Sequence, residues 1–437
     1  MLKRFAKALA RRGLAPVGNP ARLRMFGDVL FRLAAFRGAT GRIQPPRSVL
    51  VVKLDRLGDV ALSACFLAGL REAWPASRIT LVVRESLVDF ARLCPAVDEV
   101  IGAPVKEGTM VCDSKTGTYV GWWDQLLIWL RFCQRAGLWQ RRFEVAIVPR
   151  WGVDYYGAVP LAYISGAAER WAVGEKASAT KDRLNRGFDA LLTHAVPGRS
   201  DRHELLLNHT LLELICGQAA PPGPMPCWAP LEGRQAARDL LERAGIDFSR
   251  PVLALCLGAG HPARQWPAGR YAELCSRVFP LDGVHLATFG TESEKPLGRE
   301  VRAALGEAVV NLEGAIPLRL LPSALSLCAL YIGGDTGPMH LAAAAGLPVL
   351  EISCHPTDGD PLWPESPRLF SPWGVPSRVV QPPAATPPCA QHCEQPHPHC
   401  ILGVTVEQVT RQLQALLAEL HPLAGIAETL AAGTKTG

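Results

Sequence analysis

The chain has 437 residues, 48% apolar and 20% charged, which suits a globular protein of two or three domains and excludes a disordered or fibrous one. No run of eighteen apolar residues occurs, which argues against a membrane-spanning helix, and the basic start "MLKRFAKALARR" lacks the apolar stretch of a secretory signal. The net charge of +6 is lopsided: residues 1–47 hold eleven Lys or Arg against one acid, Asp28, so the remainder is net negative. Thirteen cysteines, most inside apolar stretches (Cys65, Cys216, Cys256, Cys275, Cys328), predict reduced thiols in a cytoplasmic setting.

In chain order, residues 1–47 form a basic helical arm. Its segment "MFGDVLFRLAAF" (25–36) groups Met25, Val29, Leu30, Leu33 and Phe36 on one helical face, flanked by Arg32 and Arg37. Such a face suits an anionic membrane surface, or packing on the chain's own domain. No aromatic-basic platform or DNA-reading motif accompanies it, so nucleic acid is not an expected partner.

From residue 48 the pattern alternates strand and helix. "SVLVVKL" reads as a buried strand, "DRLGD" as a turn, "VALSACFLAGLREAW" as a helix and "RITLVV" as the next strand, which predicts a parallel sheet covered on both faces. Residues 104–120 read as a polar loop. "WWDQLLIWLRFCQRAGLW" (122–139) reads as a helix with four tryptophans, placed in the core or lining a lipid or acceptor groove. "FEVAIVPRW" is a further strand, and "RHELLLNHTLLELICG" (202–217) closes this half.

"QAAPPGPMPCWAPLEG" carries five prolines and has the composition of a linker. A second alternating half follows, with strands expected at 252–257, 284–289, 328–333 and 348–352. The predicted fold is therefore α/β. Its parts are an arm (1–47), a Rossmann-like domain (48–220), a linker with a bridging helix (221–250) and a second Rossmann-like domain (251–437). The two doubly wound sheets are expected to face each other across a cleft, with chemistry in the loops beyond their strands.

Four such loops carry candidate residues. "KLDRLGDV" offers Asp55 and Asp59; a carboxylate here could act as general base or simply cap the helix. "LGAGHPARQWP" offers Gly258 and Gly260 for close approach of a ligand and Arg264 as a fixed charge for a diphosphate, or as an ordinary surface arginine. "FGTESE" offers Glu292, with Glu294 beside it, for ribose hydroxyls, or a solvated acidic turn. "YIGGDTGPMHLAAAAGLPVLEIS" (331–353) places a glycine-rich turn between a strand and an alanine-rich helix. Its backbone N–H groups over 336–339 are expected to face outward at the positive end of the helix, where a phosphate would bind.

The order and spacing of strand-"RLGDV"-helix, "GA…RQWP" and "GDTGPMHLAAAAGLPVL" resemble glycosyltransferase family 9, the ADP-heptose heptosyltransferases, over about residues 48–415. The resemblance implies the GT-B architecture, with the donor held by the C-terminal domain and the acceptor docking on the N-terminal one. By the same resemblance Asp59 is the catalytic base. Arg264, which stands where many members have Lys, contacts phosphate, and Glu292 lies near the donor ribose. Asp335, Thr336, Gly337, Pro338, Met339 and His340 wrap the pyrophosphate, and Asp55 and Arg56 are candidate acceptor contacts.

The implied reaction is an inverting transfer of heptose from ADP-heptose to a sugar hydroxyl of the lipopolysaccharide inner core. The acceptor would be a lipid-linked glycan met at the inner face of the cytoplasmic membrane. Alternatives on the same fold are an ADP-sugar transferase acting on a protein or another glycan, and a non-catalytic nucleotide-binding scaffold. No Asp-x-Asp motif lies in a suitable loop, so no cofactor is expected for catalysis. The tail cluster "CAQHCEQPHPHC" offers Cys389, Cys393 and Cys400, with His392, His397 and His399, either for structural zinc or iron or as inert thiols. Cys354 and His355 would join only if the fold brought them close.

Overall fold

The computed structural model describes residues 45–105, 122–198, 202–217, 219–363 and 365–420, with backbone alone for 122–126. The amphipathic arm, most of the 104–120 loop and the side chains of Trp122 and Trp123 lie outside the described residues. Two compact units account for the chain. One takes in Met1–Asp55, Phe66–Ser200 and Leu207–Ala220; the other takes in Arg56–Cys65, Asp201–Leu206 and Pro221–Gly437.

The first unit is built on β1 (Ser48–Val52), β2 (Arg78–Arg84), β3 (Glu99–Ala103), β4 (Val145–Val148), β5 (Glu169–Val173) and β6 (His194–Val196), in the spatial order β3-β2-β1-β4-β5-β6. All pairings are parallel, with Val49 opposite Ile79 on one side and Val145 on the other. Val49 to Val52 have no exposure, because helices cover both faces, and this explains the unbroken apolar run. Leu50, Val52, Trp129, Leu138 and Leu161 share one core. Trp139 donates its indole N–H to the Ile164 carbonyl at 2.8 Å. Trp129 therefore takes the core reading of the tryptophan-rich helix.

The second unit is built on β7 (Val252–Cys256), β8 (His285–Phe289), β9 (Val309–Asn311), β10 (Leu330–Gly334), β11 (Val349–Ile352) and β12 (Ser377–Val380), in the order β12-β11-β10-β7-β8-β9 and again all parallel. Counted within its own half, each sheet reads 3-2-1-4-5-6. The expectation of two Rossmann-like doubly wound domains holds. In this topology the connections diverge between strands 1 and 4, so a crevice opens at the carboxyl ends of β1 and β4 and of β7 and β10. The last described helix (Val406–Leu420) packs on the second sheet, where Val409, Leu413 and Leu416 are fully buried, each worth about 1.5–3 kcal/mol of apolar transfer.

The helix expected over 60–74 is two helices, α1 (Leu57–Leu62) and α2 (Ala64–Ala73). Ser63 separates them; its hydroxyl donates to the Val60 carbonyl at 2.6 Å and competes with the helical ladder. Gly58 and Asp59 consequently lie inside α1, not in a turn before it.

Candidate active site

The crevice of the second sheet is assembled from three strand ends. Gly333 of β10 is in register with Cys256 of β7 on one side and Glu351 of β11 on the other. Gly333 has no room for a side chain: a Cβ there would stand 2.7 Å from the Tyr331 hydroxyl and 2.9 Å from the Cys256 carbonyl. Tyr331 thus folds back along its own strand, and its hydroxyl meets Thr336 Oγ1 at 3.2 Å. Thr336 is the extended residue before helix α3 (Gly337–Ala344), and its side chain, held by Tyr331, does not cap the helix. Pro338 in the first turn supplies a preset φ.

The turn corrects one expectation about its amides. Pro338 has no N–H, and the Met339 N–H is taken by the Thr336 carbonyl at 3.1 Å, while the Met339 side chain is buried in the core. The N–H groups of Thr336 and Gly337 are the two in 336–339 that have no partner among the described residues. They stand at the positive end of α3.

Around this helix end the charges converge. Asp335 Oδ2 lies 3.4 Å from Arg264 Nη1, and Asp335 Oδ1 lies 3.6 Å from Nε2 of buried His340. The Arg264 Nε and the His340 Nδ1 are buried with no partner among the described residues. A Cβ on Gly260 would stand 2.9 Å from Arg56 Nη1 and 3.4 Å from Arg264 Nη2, so two guanidinium groups meet above this glycine. Arg56, read from the sequence as a candidate acceptor contact, stands near Arg264 at Gly260.

Helix α1 packs directly on α3. A Cβ on Gly58 would be 2.7 Å from the His340 ring, and one on Gly337 would be 2.9 Å from Leu57. Each glycine lets the other helix approach. Asp59, half-exposed in the first turn of α1, is carried on the helix that braces His340 and Gly337.

The acidic loop after β8 divides in two. Glu292 is exposed and ion-paired with Lys295 at 2.6 Å. Glu294 turns inward, with its Oε2 accepting the Thr291 N–H at 2.6 Å. Its carboxylate fills the space above Gly258 and Gly290, where any Cβ would collide with it. Of the two acids, Glu294 is therefore the one at the ends of β7 and β8.

One residue of the site was not singled out from the sequence. Glu351, in the middle of β11, is 1% exposed, and neither carboxyl oxygen has a partner among the described residues. Burial, with Asp335 adding repulsion and Arg264 opposing, raises its pKa well above the usual carboxylate range.

The crevice of the first sheet is different in kind. Asp55 is buried, with one oxygen bonded to Arg150 and the other 3.1 Å from Lys53 Nζ. Lys53 also donates to the Pro149 carbonyl at 2.8 Å. Burial pushes the Asp55 pKa up, but Arg150, Lys53 and Arg84 outweigh it and hold the group below the usual carboxylate range. Asp55 is spent on this network, which leaves a poor contact for an incoming acceptor.

Residues 181–357 match the model of "Glycosyltransferase family 9 (heptosyltransferase)". Over that region the chain is similar to glycosyltransferase family 9. The chain is 30% identical over 128 residues to lipooligosaccharide heptosyltransferase 2 of Haemophilus influenzae, covering 28% of this chain and 37% of that one. It is 26% identical over 210 residues to lipopolysaccharide heptosyltransferase 2 of Salmonella typhimurium, covering 46% and 58%. The matched region thus spans less than two thirds of either relative. A solved structure, the Escherichia coli ADP-heptose lipopolysaccharide heptosyltransferase II, superposes with a TM-score of 0.61 at 18% identity over 86% of this chain and 99% of that one, a likeness of fold.

Proposed function

We propose that the chain is an inverting glycosyltransferase that moves a heptose from ADP-heptose to an acceptor sugar hydroxyl of the lipopolysaccharide inner core. The observation that carries this reading is the meeting of Arg56 and Arg264 above Gly260, beside the two partnerless amides at the head of α3. Like charges this close repel unless an anion lies between them. Asp335 offsets only part of the charge, at contacts of 3.4 and 3.6 Å. A diphosphate supplies the rest, since guanidinium groups and helix amides both bind phosphate oxygens. The relatives named above, lipopolysaccharide and lipooligosaccharide heptosyltransferases, favour ADP-heptose as the donor and a lipid-linked glycan as the acceptor.

The reaction is a single in-line displacement. Asp59 takes the proton of the acceptor hydroxyl; the oxygen bonds to the anomeric carbon as the bond to the diphosphate oxygen breaks, and the electron pair leaves on ADP. The growing negative charge falls between Arg264, Arg56 and the α3 amides. Preorganised donors of this kind are each worth about 2.7–4 kcal/mol of barrier. The contact of α1 with α3 gives the base and the diphosphate grip a common support. Glu294 replaces Glu292 as the ribose contact, because it stands at the strand ends. These fixed cations do the work of a divalent ion, so added Mg²⁺ or Mn²⁺ leaves the rate unchanged. Among the described residues no helix is long and apolar enough to cross a membrane, and the basic arm is the part proposed to meet the inner face of the cytoplasmic membrane.

Thermal protection by nucleotides, followed by product analysis with core oligosaccharides, tests this reading. ADP or ADP-heptose at about 100 times its Kd adds about 2.7 kcal/mol of stability, and UDP and GDP sugars add far less. Asp59→Asn keeps the protection and loses about 10²–10⁴-fold in turnover. Equal protection by UDP or GDP overturns the donor, and transfer by Asp59→Asn at the wild-type rate overturns the base.

A further inference from the structure

We propose that Cys389, Cys393, His399 and Cys400 form a closed, structural zinc site. Their ligand atoms all lie within 4.8 Å of one another, although the four residues span twelve positions of a proline-rich stretch. His399 Nδ1 stands 3.6 Å from Cys389 Sγ and 3.6 Å from Cys400 Sγ. With Zn–S at about 2.3 Å and Zn–N at about 2.0–2.1 Å, a tetrahedral site has an S–N edge of about 3.6 Å. The two contacts that bracket the histidine are therefore already at the zinc spacing.

The structure selects among the ligands that the sequence left open. His392 stacks on Trp363 with ring centroids 3.3 Å apart, and its Nε2 lies 3.4 Å from Glu394. His397 lies with its ring centroid 6.3 Å from that of His399. Neither they nor Cys354 and His355 belong to the four-ligand group. The Glu394 N–H points at Cys389 Sγ from 3.4 Å, a contact that favours the thiolate a metal requires. Three thiolates and one imidazole in tetrahedral reach suit zinc and disfavour the hard ions. Binding releases the three thiol protons to solvent as the Zn–S bonds form. Four protein ligands leave no open position, so the site is structural.

The physical need for it is visible. Between β12 and the turn at Cys400–Gly403 the chain runs from Gln381 to His399 with no helix or strand, an unusual length for a compact domain. The stretch is tied to residues 355–360 through bonds such as Thr357 N–H to the Pro382 carbonyl and Asp360 N–H to the Gln391 carbonyl, both at 3.0 Å. Beyond Cys400, the Val404 carbonyl accepts from the indole of Trp266 at 2.9 Å. Trp266 is two residues past Arg264. A zinc staple fixes the loop whose far side anchors the Arg264 turn.

The test uses the full chain purified without a histidine tag from zinc-supplemented cells. Elemental analysis is expected to find about one zinc per chain. Exchange with Co²⁺ alone is expected to give the visible absorption of tetrahedral thiolate-bound cobalt. Cys400 is fully buried, and its variants risk misfolding, so Cys393→Ser, at a partly exposed position, is the informative change. It is expected to retain the wild-type circular dichroism, lose most of its zinc and no longer gain thermal stability from added zinc. Iron in place of zinc, a wild-type chain with neither metal that also fails to take up Co²⁺, or undiminished zinc in Cys393→Ser would each overturn the assignment.

Discussion

The two sheets share one strand order, yet their crevices are finished in opposite ways. In the first, Lys53, Asp55 and Arg150 bind one another in a buried network. In the second, Arg56 and Arg264 approach the same glycine, the Thr336 and Gly337 amides lack partners among the described residues, and two carboxylates, Asp335 and Glu294, stand at the strand ends. One crevice has its charges consumed by the fold. The other has two guanidinium groups and two helix-end amides outside any buried ion network, and it is there that we place an incoming anion. The shared topology supplies both openings; the two crevices differ in which charges the fold consumes.

The sharpest way to break this contrast is Asp55→Ala. It removes the carboxylate that Lys53 and Arg150 share, and removing one partner of a buried ion group costs about 3–5 kcal/mol. Urea unfolding is expected to show that loss at neutral pH. Because the folded pKa of Asp55 is lowered, its contribution is fully present above the unfolded value and disappears as pH falls through the folded one, so the wild-type and variant curves converge in acid. A variant as stable as wild type would mean that the first crevice does not depend on its network.

The matching change in the second crevice should act on binding and spare the fold. Arg264→Ala removes a charge-assisted contact worth about 1.5–3 kcal/mol, about ten- to hundredfold in ADP affinity. Its melting temperature without nucleotide should stay near wild type, and Arg264→Lys should recover part of the affinity. Titration calorimetry with ADP measures this. A large stability loss with unchanged affinity would turn Arg264 into a second Lys53, a residue of the fold alone.

Much of this contrast was legible in the sequence. "GGDTGPMH" announced a strand-to-helix turn, and "GAGHPARQWP" placed a fixed charge beside its glycines. Less was legible where the signal is short or lies in a side chain's direction. β3 and β5 were not read as strands, and β6, β9 and β12, of three or four residues, escaped because "HAV", "VVN" and "SRVV" are too brief to stand out from loops. No pattern could show that Arg56 points at Gly260, since that depends on α1 packing against α3. Nor could spacing choose His399 over His392, which the fold stacks on Trp363. Glu351 did leave a signal: a strand buried on both faces has no place for a carboxylate, so the Glu inside "VLEIS" marks a residue held there at a cost.

Glu351 also gives the smallest and most diagnostic prediction. Its folded pKa is raised, so the folded chain holds a proton that the unfolded chain has released. Stability from this group is therefore fully present below the unfolded value and falls as pH rises toward the folded one. Glu351→Gln keeps a neutral side chain of similar shape at every pH. Its melting temperature should match wild type near pH 5 and exceed it by a few degrees at pH 8. An offset that does not change with pH would show that Glu351 is ionised in the folded chain. The second crevice would then hold an internal anion beside Arg264, which would count against placing an incoming one there.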